Sequence, residues 1–329
     1  MDQRARVALA VAGAVGFFLA VQFGALALVG PFDAAGYQSV ENPQNPANSV
    51  VYVGVILVAT ALMLALMRFG RTSVLRLFLV GTSGLIAGYV FSVTIPVLRV
   101  AALGGANVSP WIAGGAVVLG LLVYPEWWVI DAAGLVMGMG AGALFGISFG
   151  ILPAILLLTA LAVYDAVSVY GTRHMLTLAS GVMELRVPVL IVIPTTTSYS
   201  FIEAADSMAE SVGADAASGA DGAGEDEAPG ALEREAFFIG LGDAVMPSIM
   251  VASAGFFLDT PPVLGFEIAP LAAIAGTILG LLALLWMVAK GRAHAGLPLL
   301  NGGAIGGYLV GALASGIPLM EALGLSAVL

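Results

Sequence analysis

The sequence predicts an all-α integral membrane protein with nine transmembrane helices, a cytoplasmic N-terminus and a C-terminus on the outer side. Of its 329 residues, 60% are hydrophobic and only 10% are charged, more apolar surface than a soluble core requires. Apolar runs of about 20 residues, the length that crosses a bilayer, recur along the chain. The position of the basic residues then gives the orientation.

Nine apolar runs define the expected helices, and the fourth is the shortest of them. They lie near residues 7–29, 50–69, 74–98, 111–124, 127–148, 151–171, 236–258, 267–289 and 296–319. The first run follows Arg4 and Arg6 but is too long for the apolar region of a signal peptide, so we expect a retained span. With the N-terminus in the cytoplasm, ten of the 11 basic residues face the cytoplasm and only Arg99 does not, as the positive-inside rule requires.

The expected organisation has three parts. Residues 1–171 hold helices one to six, residues 172–235 form a cytoplasmic-side segment, and residues 236–329 hold helices seven to nine. Within the middle part, 172–185 fits a short interfacial helix. Residues 195–235 contain ten of the 21 acids but only one base, Arg234. Their Gly, Ala, Ser and acidic composition cannot form a core, which favours a disordered linker; substrate gating and adaptation to high salt remain alternatives.

A short apolar strip, 187–194, precedes this linker and is rich in β-branched residues bounded by prolines. One interpretation is an apolar segment that lies on the membrane. The other is an extended segment whose free backbone groups pair with another extended peptide. The pattern alone leaves both interpretations open.

Two aspartates lie inside apolar runs, where a carboxylate is costly and usually functional. Asp165 follows Ile151 by 14 residues, about 21 Å along the sixth helix and so about 9 Å from the cytoplasmic face of a core about 30 Å thick. Asp243 follows Ala236 by seven residues, about 10 Å along a helix that runs back outward. Both carboxylates are therefore expected in one layer.

A pair of carboxylates at one site suits peptide hydrolysis. The ionised member activates a water and the protonated member polarises the scissile carbonyl. Gly240 and Gly242 precede Asp243 and leave space for a substrate backbone, although helix packing explains most glycines of this kind. Pro298 opens the last span near the same face, either as ordinary helix initiation or as part of an irregular start beside the aspartates.

Other chemistry is not expected. The chain has no cysteine and two histidines, His174 and His294, which are too few for a metal site of their own, and nothing in the sequence calls for a cofactor. Asp131, after Trp127 and Trp128, is either an interfacial or structural residue or a contact for substrate or water. The main alternative function is a proton- or ion-coupled transporter in which intramembrane aspartates form a relay.

Three short motifs resemble those of one family, the presenilins and signal peptide peptidases. Tyr164-Asp165, Gly240-Leu241-Gly242-Asp243 and Pro298-Leu299-Leu300 look like its YD, GxGD and PAL motifs. Their order and spacing match over essentially the whole chain, which most resembles the archaeal members. These are intramembrane aspartyl proteases with nine helices. Leu299 is a departure, because the family usually has alanine there, and its bulk bears on fine substrate preference.

The resemblance implies an endopeptidase that cleaves transmembrane segments or signal-peptide remnants with an activated water. Asp165 and Asp243 would be the catalytic dyad, Tyr164, Gly240, Leu241 and Gly242 would support it, and Pro298, Leu299 and Leu300 would position the substrate. The strip 187–194, with 237–239, would be an edge that pairs with unfolded substrate. The expected partners are membrane substrates and lipid, not nucleic acid, in a multi-pass protein of the cell membrane; a homo-oligomer is left open.

Overall fold

The computed structural model describes residues 3–95, 99–100, 106–172, 190–194, 199–202, 236–263, 265–290 and 294–327. Within these ranges the chain is a helical bundle with three two-stranded sheets. The helices are α1 (Gln3–Ala34), α2 (Ala47–Arg68), α3 (Thr72–Thr94), α4 (Ser109–Val123), α5 (Trp127–Ser148), α6 (Ile151–Val167), α7 (Leu241–Phe257), α8 (Ile268–Ala289), α9 (Leu297–Ala314) and the short α10 (Leu319–Ala322). The strands are β1 (Arg99–Val100), β2 (Ala106–Asn107), β3 (Leu190–Pro194), β4 (Ala236–Gly240), β5 (Pro262–Val263) and β6 (Phe266–Glu267).

In the described part of the chain, seven helices are long and apolar enough to cross a bilayer. Two further apolar helices, α4 with 15 residues and α7 with 17, are shorter. At 1.5 Å per residue they extend about 23 and 26 Å, less than a hydrocarbon core of about 30 Å. The multi-span membrane class is therefore confirmed, while the count of nine spans stays a prediction.

Predicted helix boundaries differ from the structure at several ends. The first helix runs from Gln3 to Ala34, beyond the predicted 7–29 at both ends, and the sixth ends as an α-helix at Val167 and continues as a π-helical turn, Ser168–Thr172.

Three other boundaries differ for a local reason. The third span was expected to reach residue 98, but α3 ends at Thr94 and Ile95 is extended, because the residue before a proline (here Pro96) is disfavoured in the helical region. The last span was expected to reach residue 319, but α9 ends at Ala314. Gly316 there has a φ of 85°, and the N–H of Ile317 donates to the Ala312 carbonyl, a glycine-based helix stop.

The third wrong boundary is the start of the seventh helix, predicted at residue 236. Residues Ala236–Gly240 instead form β4, which pairs antiparallel with β3 from Leu190↔Gly240 to Pro194↔Ala236. The strip 187–194 is therefore extended where it is described, and α7 begins at Leu241. The predicted interfacial helix at 172–185 and most of the acidic linker at 195–235 lie outside the described residues.

Strand β3 passes through the bundle with both of its faces covered. Side chains alternate between the two faces of a strand, and Ile191 and Ile193 pack in a cluster with Ala10 and Ala14 of α1. Val192 points the other way, into a cluster with Leu75 of α3 and side chains of α5. An extended segment inside an apolar bundle is tolerated because protein surrounds it.

Helices α8 and α9 pack backbone against backbone. A Cβ added at Gly276 or Gly280 would collide with the carbonyl oxygen of Gly303 or Leu299, and one added at Gly307 would collide with the Ala272 carbonyl. Small residues allow this approach in membrane bundles. The contact fixes where the N-terminus of α9 lies.

We predict that Gly303→Ala lowers the free energy of unfolding by about 1–3 kcal/mol, because the new methyl group would collide with the Gly276 carbonyl oxygen and overpacking costs about this much. Gly302→Ala is the matched control one residue away, since a Cβ there meets nothing within 4 Å, and it should be neutral or stabilising by up to about 1 kcal/mol. Unfolding in mixed micelles measures both. Equal stability of the two variants would contradict the packing argument.

Candidate active site

Asp165 lies near the C-terminal end of α6 and is held by the backbone that starts α9. The Leu297 N–H donates to Asp165 Oδ2 at 3.0 Å. The first N–H groups of a helix have no partner within the helix and attract anions. The α9 N-terminus is therefore a suitable partner for a carboxylate within the bundle.

Asp243 lies in the first turn of α7 and approaches the same backbone from the other side. A Cβ built on Gly296 would be 3.2 Å from Asp243 Oδ2 and 3.5 Å from Oδ1, so the absence of a side chain at Gly296 leaves room for the carboxylate. The two aspartates thus converge on Gly296 and Leu297, from α6 and α7.

The three residues before Asp243 have distinct surroundings. Gly240 ends β4 and caps α7 with extended dihedral angles, φ −61° and ψ 132°. Leu241 is buried and its side chain faces Gly134 and Gly138 of α5. Gly242 is exposed, and a Cβ there would meet nothing within 4 Å. Packing among the described residues therefore does not explain Gly242, the residue before Asp243.

The Pro298-Leu299-Leu300 motif forms the first turn of α9, with proline at a position where its missing N–H costs nothing. This is the ordinary helix start, not an irregular one. The Leu300 side chain is fully buried, whereas Leu299 is only partly buried. Direct contact with a substrate is therefore open to Leu299 and closed to Leu300 in this conformation.

Two residues of the site, Tyr170 and Gly296, are not among those predicted from the sequence. The contacts of both involve the segment before Pro298. Ala295 N–H donates to Tyr170 Oη over a long 3.5 Å, and Tyr170 lies in the π-helical turn Ser168–Thr172 that continues α6. Gly296, two residues before Pro298, is the second residue of the site that the sequence does not predict. The available signal was a glycine two residues before a proline that starts a helix. Tyr164 exposes 48% of its surface, and its supporting role stays a prediction.

Acidic residues at the start of α5 hold the segment around β3. Asp131 Oδ1 accepts a hydrogen bond from the Val192 N–H at 2.8 Å. The Glu126 carboxylate accepts from Phe201 N–H at 3.0 Å and from Ser200 Oγ at 2.7 Å. The hydrogen bond from Val192 to Asp131 supports the structural interpretation of Asp131, because it joins α5 to β3, the strand that precedes the linker.

The arrangement brings two carboxylates to one polar backbone turn inside an apolar bundle. Across the described ranges, no group of three or more His, Asp or Glu side chains is arranged to hold a metal ion. The chemistry available to the described residues is that of two carboxylates that approach the same backbone turn.

Comparisons with known proteins identify the family and the fold. A family model described as signal-peptide peptidase, presenilin aspartyl protease matches residues 15–317. A structure of a presenilin family intramembrane aspartate protease in the C222 space group is 32% identical, with a TM-score of 0.62, and the match covers 92% of this chain and 99% of that one. A structure of a presenilin family intramembrane aspartate protease in the P2 space group is 33% identical, with a TM-score of 0.59, and the match covers 92% of this chain and 97% of that one. No curated protein matches the chain.

The matched family model spans most of the chain, and the matched structures share its fold at more than 30% identity. The chain therefore belongs to the signal-peptide peptidase and presenilin family of intramembrane aspartyl proteases, and it is an aspartic-type endopeptidase.

Proposed function

We propose that Asp165 and Asp243 are the catalytic dyad with which this protease hydrolyses peptide bonds inside transmembrane segments or signal-peptide remnants. The observation that supports the proposal most strongly is the convergence of both carboxylates on Gly296 and Leu297. One carboxyl removes a proton from the attacking water while the other donates a hydrogen bond to the scissile carbonyl. The hydrogen bond from the Leu297 N–H keeps the Asp165 carboxylate oriented during the proton transfer.

A transmembrane substrate must unwind before a water can attack its backbone, and the unwound amides then need new partners. Strand addition to the β3–β4 sheet supplies them. The Val192 N–H is directed to Asp131, away from β4. Val192 and its partner Phe238 therefore form a non-hydrogen-bonded pair. In such a pair the N–H and C=O of Phe238 point away from β3, to the outer edge of β4. Of the two segments expected to pair with substrate, 187–194 and 237–239, we therefore assign the substrate to the edge of β4, which contains residues 237–239.

The β4 edge leads directly to the reacting groups. Gly240 ends the strand and Asp243 follows three residues later on α7, so a substrate strand aligned with β4 passes the carboxylate pair. Gly242 would leave space for it, and Leu299, which packs against the cluster that contains Leu241, would position it together with Pro298. Tyr164, Leu241 and the buried Leu300 would support the site by shaping its walls.

We further propose nine spans in the cell membrane, with the N-terminus in the cytoplasm and the C-terminus outside, as the basic residues indicate. The short helices α4 and α7 then complete the bundle, and residues 172–235 lie on the cytoplasmic side. Membrane proteins and lipid are the expected partners, nucleic acid is not, and the protein needs no cofactor or metal. The family assignment does not favour the transporter alternative.

The first test of this proposal removes each carboxylate separately. Asp165→Asn and Asp243→Asn should each reduce cleavage of a membrane peptide in detergent by about 10²–10⁴-fold, because each carboxyl has its own protonation role. Asp259→Asn is the control, because Asp259 is exposed and lies beyond the C-terminal end of α7. This variant should cleave the peptide at the wild-type rate. Near-normal cleavage by either dyad variant, with its melting temperature unchanged, would refute the two-aspartate mechanism.

A second test addresses the β4 edge. Phe238→Pro should slow cleavage by about tenfold or more, since proline lacks the N–H that a substrate strand would use. Phe238→Ala removes the side chain but keeps the N–H, and should slow cleavage much less. Glycine residues that weaken the substrate helix near the scissile bond should speed cleavage by the wild type. Equal rates for the proline and alanine variants would rule out strand addition at this edge.

A further inference from the structure

Strand β3 has two edges, and different partners occupy them. One edge pairs with β4 along its whole length. The other faces α5, where the Val192 N–H donates to Asp131 Oδ1 at 2.8 Å. A side-chain carboxylate therefore takes the position that a third strand would take at Val192.

This contact is made in a place where an unpaired amide is expensive. Val192 is fully buried and Ile191 is 1% exposed, so water cannot replace the carboxylate as the partner of the Val192 N–H. A carboxylate in a membrane helix is itself costly. Both costs are offset only when the two groups remain together.

A second acid on the same helix fixes the chain beyond the strand. Glu126, which caps α5, accepts hydrogen bonds from Ser200 and Phe201, and the Phe201 ring lies 6.5 Å from that of Phe238 on β4. The start of α5 thus holds the chain on both sides of residues 195–198. Glu126 holds the segment after β3, whereas Asp131 holds the strand itself.

We propose that Asp131 is a positioning residue for the reaction: it closes the outer edge of β3 and fixes the β3–β4 sheet relative to the dyad. The effect passes from Val192 through the pairing Leu190↔Gly240 to Asp243, three residues after Gly240. With β3 closed, β4 is the single edge of this sheet that can accept a substrate strand, and that strand has one register over the carboxylates. The inference rests on the proposed function.

The test compares two substitutions at one position. Asp131→Asn keeps an oxygen that accepts from the Val192 N–H, while Asp131→Leu has a similar size and no acceptor. Ser83→Ala is the control, because this buried hydroxyl bonds only within its own helix, to the Leu79 carbonyl. The measurements are the KM and kcat for a membrane peptide, the cleavage positions by mass spectrometry, and hydrogen exchange of residues 190–194.

Asp131→Leu should raise KM by about tenfold with a smaller change in kcat, spread cleavage over neighbouring peptide bonds, and speed exchange at residues 190–194 by about tenfold or more. Asp131→Asn and Ser83→Ala should resemble the wild type in all three. A merely structural role would lower stability without moving the cleavage positions.

If Asp131→Leu does not fold, Asp131→Ala, which also lacks the acceptor, takes its place. Three results would overturn the inference: wild-type cleavage positions and KM in a folded Asp131→Leu, equal defects in Asp131→Asn and Asp131→Leu, or a failure of both Asp131→Leu and Asp131→Ala to fold. Failure of the proposed function has a different signature, since Asp165→Asn would then cleave as fast as the wild type whatever the residue at position 131.

Discussion

The site depends on the first turn of α9, where two backbone residues meet two carboxylates. Leu297 offers an N–H to Asp165, and Gly296 lacks a side chain where Asp243 approaches. The glycine contacts between α8 and α9 bring the two helix backbones close together and leave no room for a side chain between them, which helps to position this turn. The numerous glycines thus contribute to the chemistry indirectly, through helix spacing.

The sheet extends the site in a second direction. Strand β4 continues without a break into α7, so the backbone that would bind substrate and the backbone that holds Asp243 are one segment. Strand β3 pairs with one edge of β4 and holds it in place. The two faces of β3 are buried in different clusters, and the Val192 N–H on its outer edge is bound by Asp131. Alignment of a substrate and placement of the catalytic group are therefore mechanically coupled.

Much of the helical pattern could be predicted from apolar runs, because lipid forces a spanning segment to satisfy its own backbone. The motif residues Asp165 and Asp243 could also be identified. The estimate of their common depth was less secure, since it counted a helix from residue 236, where the chain is a strand. The aspartates meet because of Gly296 and Leu297, and no count of residues along α6 or α7 contains that information.

The pairing of β3 with β4 could not be predicted from the sequence, for a related reason. The sequence 236–240 is apolar and adjoins an apolar helix, so its extended form appears only through its partner at Leu190–Pro194, far away in the chain. Asp131 stood out as an acid in a span, but its partner is a backbone N–H, which every residue type except proline offers. Long-range contacts of backbone groups leave no trace in residue identity.

The central claim, that the two carboxylates act as one unit, is tested most directly by binding of a transition-state mimic. A membrane peptide whose scissile amide is replaced by a hydroxyl-bearing tetrahedral carbon should bind the wild type far more tightly than the parent peptide binds, because the hydroxyl lies between both carboxyls. Calorimetry in detergent should show that either Asp165→Asn or Asp243→Asn removes this advantage. Retention of the full advantage by one of the two variants would contradict the account.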